Sequence, residues 1–265
     1  MENILQQLAD YARVRTERAM AAIPPEEMRR LAMTADRGET FRLENALSGP
    51  RMGFICEVKK ASPSKGLIAP DFPYLEIARS YEEAGAECIS VLTEPKWFLG
   101  SGRYLEEITR TVGTPCIRKD FTIDEYMIYE AKVMGAEAVL LICSLLDTGT
   151  LERYIRIADS LGLSALVEAH DEEEVRSAVA AGARVIGVNN RNLKDFTVNV
   201  HNSERLRTLV PDDVLFVAES GIRDAADVRI MRQIGADACL VGETLMRAPD
   251  RKAMLQELRA GAAQD

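Results

Sequence analysis

Carboxylates and ammonium groups recur at the ends of short apolar runs in this chain. Glu57 and Lys59 close Gly53-Phe-Ile-Cys-Glu-Val-Lys, and Lys119 closes Cys116-Ile-Arg-Lys. Glu168 ends Leu163-Ser-Ala-Leu-Val-Glu, Asn189 ends Val185-Ile-Gly-Val-Asn, and Glu219 ends Val214-Leu-Phe-Val-Ala-Glu. Strand alternation places Glu57 and Lys59 in phase with Ile55, Lys119 with Ile117, Glu168 with Leu166, Asn189 with Gly187 and Glu219 with Val217. Any one of these reads as a strand end meeting solvent. Three carboxylates and two lysines converging on one partly desolvated place are costly unless they pair or serve a ligand. In such a cluster the carboxylates hold Lys119 protonated, while desolvation and like charge raise the pKa of at least one glutamate. That is equipment for general acid/base chemistry, with a structural ion-pair network as the competing reading.

A second group of residues suits an anionic ligand. Ser220-Gly221 follows one of these runs and Gly242 follows another, Ala238-Cys-Leu-Val. Small residues there let backbone N–H groups approach a phosphate. Ser62-Pro-Ser-Lys-Gly-Leu-Ile reads as a flexible flap carrying a hydroxyl and a cation, and Trp97 and Phe98 as apolar walls for a planar ring or as packing against a rim. His170 and His201, the only histidines, fall in polar segments and read as surface residues. They are too few for a His-rich metal centre or a Ser-His-Asp triad. Cys56, Cys88, Cys116, Cys143 and Cys239 lack a C-x-x-C pairing and read as buried, reduced thiols.

The elements that must position these groups repeat. Glu82 to Leu92, Ala131 to Ile142, Val179 to Val188 and Arg232 to Val241 each run from a helix end through Gly-Ala into an apolar strand, with Gly85, Gly135, Gly182 and Gly235 at the helix C-cap. Four further strands, around Phe54, Cys116, Leu166 and Phe216, bring the number to eight. Helical stretches lie between them at Tyr74–Ala84, Asp124–Met134, Thr150–Leu161, Asp171–Ala181 and Asp224–Ile234. Asp171-Glu-Glu-Glu suits a helix N-terminus. Eight βα units without a G-x-G-x-x-G crevice predict an α/β fold, a closed (β/α)8 barrel, whose catalytic groups gather at the C-terminal mouth. Residues 1–265 read as a single barrel domain, residues 1–50 being extra N-terminal helices, the first from Asn3 to Met20 and broken at Ile23-Pro-Pro-Glu.

The chain has 265 residues, ample for one such barrel, with 47% hydrophobic and 28% charged residues. A net charge of −9 argues against nucleic-acid or anionic-membrane partners, but leaves room for a small phosphorylated molecule in a local cationic pocket. Without a signal peptide or an apolar run long enough to span a bilayer, a cytoplasmic location is expected. Since Asp265 comes shortly after the last helix, no fused second enzyme is expected.

Taken in order, Glu57-Val-Lys-Lys-Ala-Ser-Pro-Ser-Lys-Gly, Leu92-Thr-Glu-Pro-Lys with Phe98 and Gly100-Ser, Arg118-Lys-Asp-Phe, Leu166-Val-Glu, Gly187-Val-Asn-Asn-Arg-Asn-Leu and Ala218-Glu-Ser-Gly-Ile resemble the indole-3-glycerol phosphate synthase family of tryptophan biosynthesis over most of the barrel. The resemblance implies a decarboxylating ring closure of 1-(2-carboxyphenylamino)-1-deoxyribulose 5-phosphate, needing neither metal nor organic cofactor. It implies Lys119 as the general acid at the ribulose carbonyl, Glu168 as acid or base in the later loss of hydroxyl, and Lys59 as holder of anionic groups with a possible share of acid duty. Glu57, Asn189 and Glu219 would orient hydroxyls and the lysines, with Arg191 and Ser62 supporting binding. Ser220, Gly221 and Gly242 would cradle the phosphate, and Phe98 and Phe121 would wall the aromatic ring. Glu243 departs from members with a small hydroxyl residue there, which would leave backbone N–H contacts only. The competing readings are a phosphoribosylanthranilate isomerase-like barrel, needing a Cys and Asp pair, a Schiff-base aldolase using Lys119 or Lys59, and a non-catalytic phosphate-binding barrel.

Overall fold

Gly85, Gly135, Gly182 and Gly235 have φ of +80°, +86°, +80° and +77°, the left-handed backbone that lets each helix stop and the chain turn directly into a strand. The structure, a computed structural model, describes residues 4–35, 38–192 and 196–263. Eight parallel strands close into a barrel, each paired with its sequence neighbours and the last with the first. They are β1 (Gly53–Val58), β2 (Cys88–Leu92), β3 (Cys116–Lys119), β4 (Ala138–Ile142), β5 (Ser164–Ala169), β6 (Val185–Asn189), β7 (Leu215–Glu219) and β8 (Ala238–Val241).

Twelve helices are described, numbered α1 to α12 in chain order. Those following the strands include α4 (Tyr74–Glu83), α6 (Glu125–Val133), α7 (Thr148–Ser160), α8 (Glu172–Ala180), α9 (His201–Arg207), α10 (Ala225–Gln233) and the short α11 (Glu243–Arg247). Their bounds lie within two residues of the expected ones wherever a helix was expected. Asp124, Asp147, Asp171 and Asp224 accept backbone N–H groups as N-caps of α6, α7, α8 and α10, so these four strand-to-helix loops end in a carboxylate that satisfies orphaned donors.

The alternation assigns the two faces of the sheet. Ile55, Cys88, Ile117, Leu140, Leu166, Val185, Val217 and Leu240 fill the lumen, while Phe54, Cys56, Val91, Val139, Val167, Val188, Phe216 and Cys239 pack under the helices. All five cysteines are buried and free; four are in strands, and Cys143 follows β4 by one residue. The N-terminal helices close the barrel from both ends. In α3 (Arg42–Leu47), Leu43 and Leu47 plug the bottom, where Leu47 lies so close to Gly53 that a Cβ there would approach its Cδ2 to 2.7 Å. From α1 (Ile4–Ala22), Leu5 and Leu8 join the lumen cluster at the opposite mouth.

Most of segment 62–68, expected as a flexible flap, lies in a two-stranded antiparallel hairpin of Ala61–Ser62 with Gly66–Leu67. Asn3 and Leu193, which belong to the expected first helix and to the Gly187-Val-Asn-Asn-Arg-Asn-Leu motif, lie outside the described residues. Among the described residues no helix is long and apolar enough to cross a membrane.

Besides its apolar face, α1 is tethered by a partly buried ion pair: the Arg15 guanidinium meets both oxygens of Asp120 at 2.6 and 3.0 Å, the Asp120 side chain being wholly buried. Removing the arginine leaves that carboxylate only the Thr93 hydroxyl at 2.6 Å, the Phe121 N–H at 2.8 Å and the Arg118 guanidinium at 3.8 Å, so Arg15→Ala should cost about 2 kcal/mol. The exposed Arg13, paired to Asp10 on the same helix, should cost under about 1 kcal/mol on the same change. Urea unfolding of both variants checks this, and equal losses would rule out the tether.

Candidate active site

Lys119 ends β3 pointing into the lumen mouth, where its Nζ lies 3.9 Å from Glu57, 3.7 Å from Glu168 and 3.8 Å from Glu219. Glu57 Oε1 also meets Lys59 Nζ at 2.5 Å, and its Oε2 faces the Ser90 hydroxyl at 3.5 Å. Glu57, Ser90, Lys119, Glu168 and Glu219 come from β1, β2, β3, β5 and β7 because each is the last inward-facing position, or nearly so, of its strand, and Lys59 follows β1 by one residue. The residues expected to converge do so.

Burial shapes their protonation. Burial pulls the Lys119 ammonium toward its neutral form, but Glu219, Glu168 and Glu57 outweigh it and raise its pKa. Burial likewise pushes Glu57 up, yet Lys59 and Lys119 prevail and hold it below the usual carboxylate range. At Glu219 burial and the neighbouring Glu168 and Glu57 win over Lys119, and its pKa is pushed up to about 8. The cluster thus holds a protonated amine beside a carboxyl that keeps its proton at neutral pH.

Two glycines make room for it. A Cβ at Gly187 would overlap Glu219 Oε1, an oxygen with no hydrogen-bond partner among the described residues, and one at Gly242 would meet Glu57 Oε1 at 2.5 Å and Lys59 Nζ at 2.9 Å. Gly187, inside β6, and Gly242, just after β8, are therefore required by the cluster itself, a reason that neither local sequence reveals.

The cluster forms the floor of a cavity of about 650 Å³. Ser62, Phe98, Phe121, Asn189, Arg191, Ser220, Gly221 and Gly242 all line it. Phe98 and Phe121 stand with ring centroids 6.0 Å apart, facing Leu5 and Leu8 of α1 across an apolar side of the mouth. Trp97 is not on that wall: its ring packs edge-on against Tyr11 of α1 at 5.7 Å, under the Lys96 ammonium. The loop presents Phe98 because the buried Glu94 carboxylate accepts the N–H groups of Lys96, Trp97 and Phe98 at 2.8–2.9 Å.

On the opposite side Ser220 and Gly221 both adopt left-handed backbone, with φ of +65° and +86°. Asn190, whose side chain donates to the Ser220 carbonyl at 3.2 Å and accepts from Ser203, holds that strained turn. Thr244 donates to the Ile222 carbonyl at 2.7 Å and joins this turn to the Gly242 loop. Asn189 accepts the Arg191 N–H at 3.0 Å, and the Arg191 guanidinium donates to the Phe196 carbonyl at 3.2 Å. Glu243 faces Lys65 of the hairpin at 3.5 Å and Arg247 at 3.1 Å, pairing sideways across the rim.

One expectation fails. His170 is not a surface residue: its side chain is 16% exposed and its Nε2 faces Glu168 Oε1 at 3.5 Å. Following Glu168 by two residues keeps it on the inner side of the chain where β5 ends, and α8 folds over it. Only His201 is exposed. Ser90 also escaped the sequence reading, although its phase with Cys88 marks it as inward-facing. Arg15 left no local signal, since Asp120 is 105 residues away. Among the described residues no three His, Cys, Asp or Glu side chains are grouped to hold a metal ion.

Comparison with known proteins agrees with the geometry. The model of the family described as indole-3-glycerol phosphate synthase matches residues 4–258. A Ruminiclostridium cellulolyticum protein of that name is 55% identical over 98% of this chain and 100% of its own length. Another from Endomicrobium trichonymphae is 49% identical over 97% of this chain and 99% of its own. Among solved structures, Mycobacterium tuberculosis tryptophan synthase superposes with a TM-score of 0.65 at 16% identity, covering 86% of this chain and 100% of that one, which shows a shared barrel.

The raised Glu219 pKa has a consequence for stability. Folding takes up a proton at Glu219 between its ordinary value of 4.5 and about 8, so its contribution is fully present below the lower value and lost as pH rises through the upper. Glu219→Gln, which cannot ionise, should gain in Tm relative to the native protein as pH rises from about 5 to about 9. A Tm difference independent of pH would show that Glu219 titrates normally.

Proposed function

The chain belongs to the indole-3-glycerol phosphate synthase family, and on that premise we propose that the Lys119 cluster closes the indole ring by general acid/base catalysis. The reaction converts 1-(2-carboxyphenylamino)-1-deoxyribulose 5-phosphate to indole-3-glycerol phosphate, carbon dioxide and water. The observation that carries the assignment is the partly buried Lys119 ammonium, within 3.9 Å of three glutamates on the floor of the mouth.

In this reading the substrate phosphate lies against backbone N–H groups of Ser220, Gly221 and Gly242, with its ring between Phe98 and Phe121. Ser62 and Arg191 support the bound chain. Lys119 gives its proton to the ribulose carbonyl oxygen as the ring carbon bearing the carboxylate attacks the carbonyl carbon. That carboxylate then leaves as carbon dioxide, and its bonding pair restores the ring. The new hydroxyl departs as water once protonated, and loss of a proton yields the indole. Glu168 serves as acid or base in that second half; Lys59 holds an anionic group and backs Lys119 as a second acid. Glu57, Asn189 and Glu219 orient substrate hydroxyls and the two lysines. The scheme calls on no metal or organic cofactor, and we place the enzyme in the cytoplasm.

Both rival acid/base sets meet a physical obstacle. A Schiff-base lysine must attack as a neutral amine, whereas the field of three glutamates favours ammonium at Lys119. Cys56, the candidate thiol of an isomerase-like pair, points into the helix layer and burial pushes its pKa up.

A fluorescence assay for indole formation, run in chelator, tests the proposal. The native enzyme should turn over, while Lys119→Ala and Glu168→Gln should each lose roughly 10²–10⁴ in kcat. Native protein that binds the substrate but forms no indole would end this reading, and covalent trapping by borohydride with a ketose phosphate would establish the aldolase instead.

A further inference from the structure

The His170 side chain is held between two carboxylates. Its Nδ1 lies 3.2 Å from Glu174 Oε2 and its Nε2 lies 3.5 Å from Glu168 Oε1, while the other Glu168 oxygen faces Lys119 Nζ at 3.7 Å. The ring has little freedom to leave. Glu174 accepts the His170 backbone N–H at 2.7 Å and the Ser144 hydroxyl at 2.6 Å, and Asn202 donates to the His170 carbonyl at 3.0 Å. His170 Nε2 is buried and, among the described residues, has no hydrogen-bond partner of its own.

A neutral imidazole has one N–H and one lone pair, so in this setting its lone pair would face a carboxylate. Only the doubly protonated ring presents a donor to both. We propose that His170 is a positioning residue of the acid/base site, an imidazolium clamped between Glu174 and Glu168 that orients Glu168 toward Lys119. The inference rests on the reaction proposed above and adds a residue to it that does not touch substrate.

The surroundings support the charge. Glu168 faces the ring from β5, Glu174 from α8 and, at longer range, Glu219 from β7; Ser144 after β4, bonded to Glu174, and Asn202 of α9, bonded to the His170 carbonyl, are uncharged. Burial opposes protonation, but the hydrogen bond to Glu174 and the fields of the glutamates outweigh it and raise the His170 pKa above the ordinary 6.5. The imidazolium is therefore complete below that ordinary value and is lost as pH rises through the raised one. With His170 charged, three cations face Glu57, Glu168, Glu174 and a protonated Glu219, so the assembly balances; with it neutral, one negative charge is left over.

The chain has two histidines, so His201→Gln leaves one imidazole to follow by NMR in the full-length enzyme. Its midpoint should lie above that of the same residue in the urea-unfolded chain, and Glu174→Gln should return it toward the unfolded value. In steady-state assays His170→Gln should lower kcat about tenfold or more with KM within about threefold, and should abolish an alkaline limb that follows the His170 titration in the native enzyme. A His170 midpoint at or below the unfolded value overturns the proposal, as does a His170→Gln enzyme with native kcat and native pH profile. If His170→Gln does not fold, the two NMR titrations still decide. Absence of indole formation by the native enzyme would overturn the reaction assignment and leave the NMR result standing.

Discussion

One positive charge, partly buried at the mouth of the barrel, organises this protein. The Lys119 ammonium must be neutralised out of water, and the three glutamates that do so come from strands spread around the barrel. Two lysines cannot balance them all, and burial together with Glu168 and Glu57 pushes the Glu219 pKa up to about 8, so the carboxyl group favours its proton there. A barrel satisfies this constraint well because its inward side chains approach one axis from every direction while the backbone stays fully paired.

Keeping charged groups so close requires space and rigidity. Space comes from the missing side chains of Gly187 and Gly242, which sit under the carboxyls of Glu219 and Glu57. Rigidity comes from the shell. Asn190 pins the left-handed turn at Ser220, Glu94 gathers three N–H groups beneath Phe98, and Arg15 fastens α1 beside Lys119 through Asp120. An N-terminal helix thereby becomes a wall of the cavity. The apolar side formed by Leu5, Leu8, Phe98 and Phe121 faces the polar turns across the mouth, matching a substrate with an aromatic ring at one end and a phosphate at the other.

The site was legible to different depths. Strand phase alone predicts that Glu57, Lys59, Lys119, Glu168, Asn189 and Glu219 face inward, because alternation is local and parallel pairing preserves it. The same logic would have found Ser90, which is in phase with Cys88. Trp97 could not be placed that way: a loop has no period, and its ring is directed by a contact with Tyr11, far off in sequence. His170 was read as a surface residue because its neighbours in sequence are polar, whereas its environment is made by α8 and α9 folding over the end of β5.

What the amino-acid order determined by itself was the repeat, the caps, the face each strand residue takes and the chemical types gathered at one end. Those follow from backbone sterics and periodicity over a few residues. Only the tertiary structure decided which carboxyl holds a proton, where the aromatic wall stands, why Gly187 and Gly242 must be small, and that His170 looks into the site. Each of these depends on distances and desolvation set by closure of the barrel, which brings together groups that no local pattern relates.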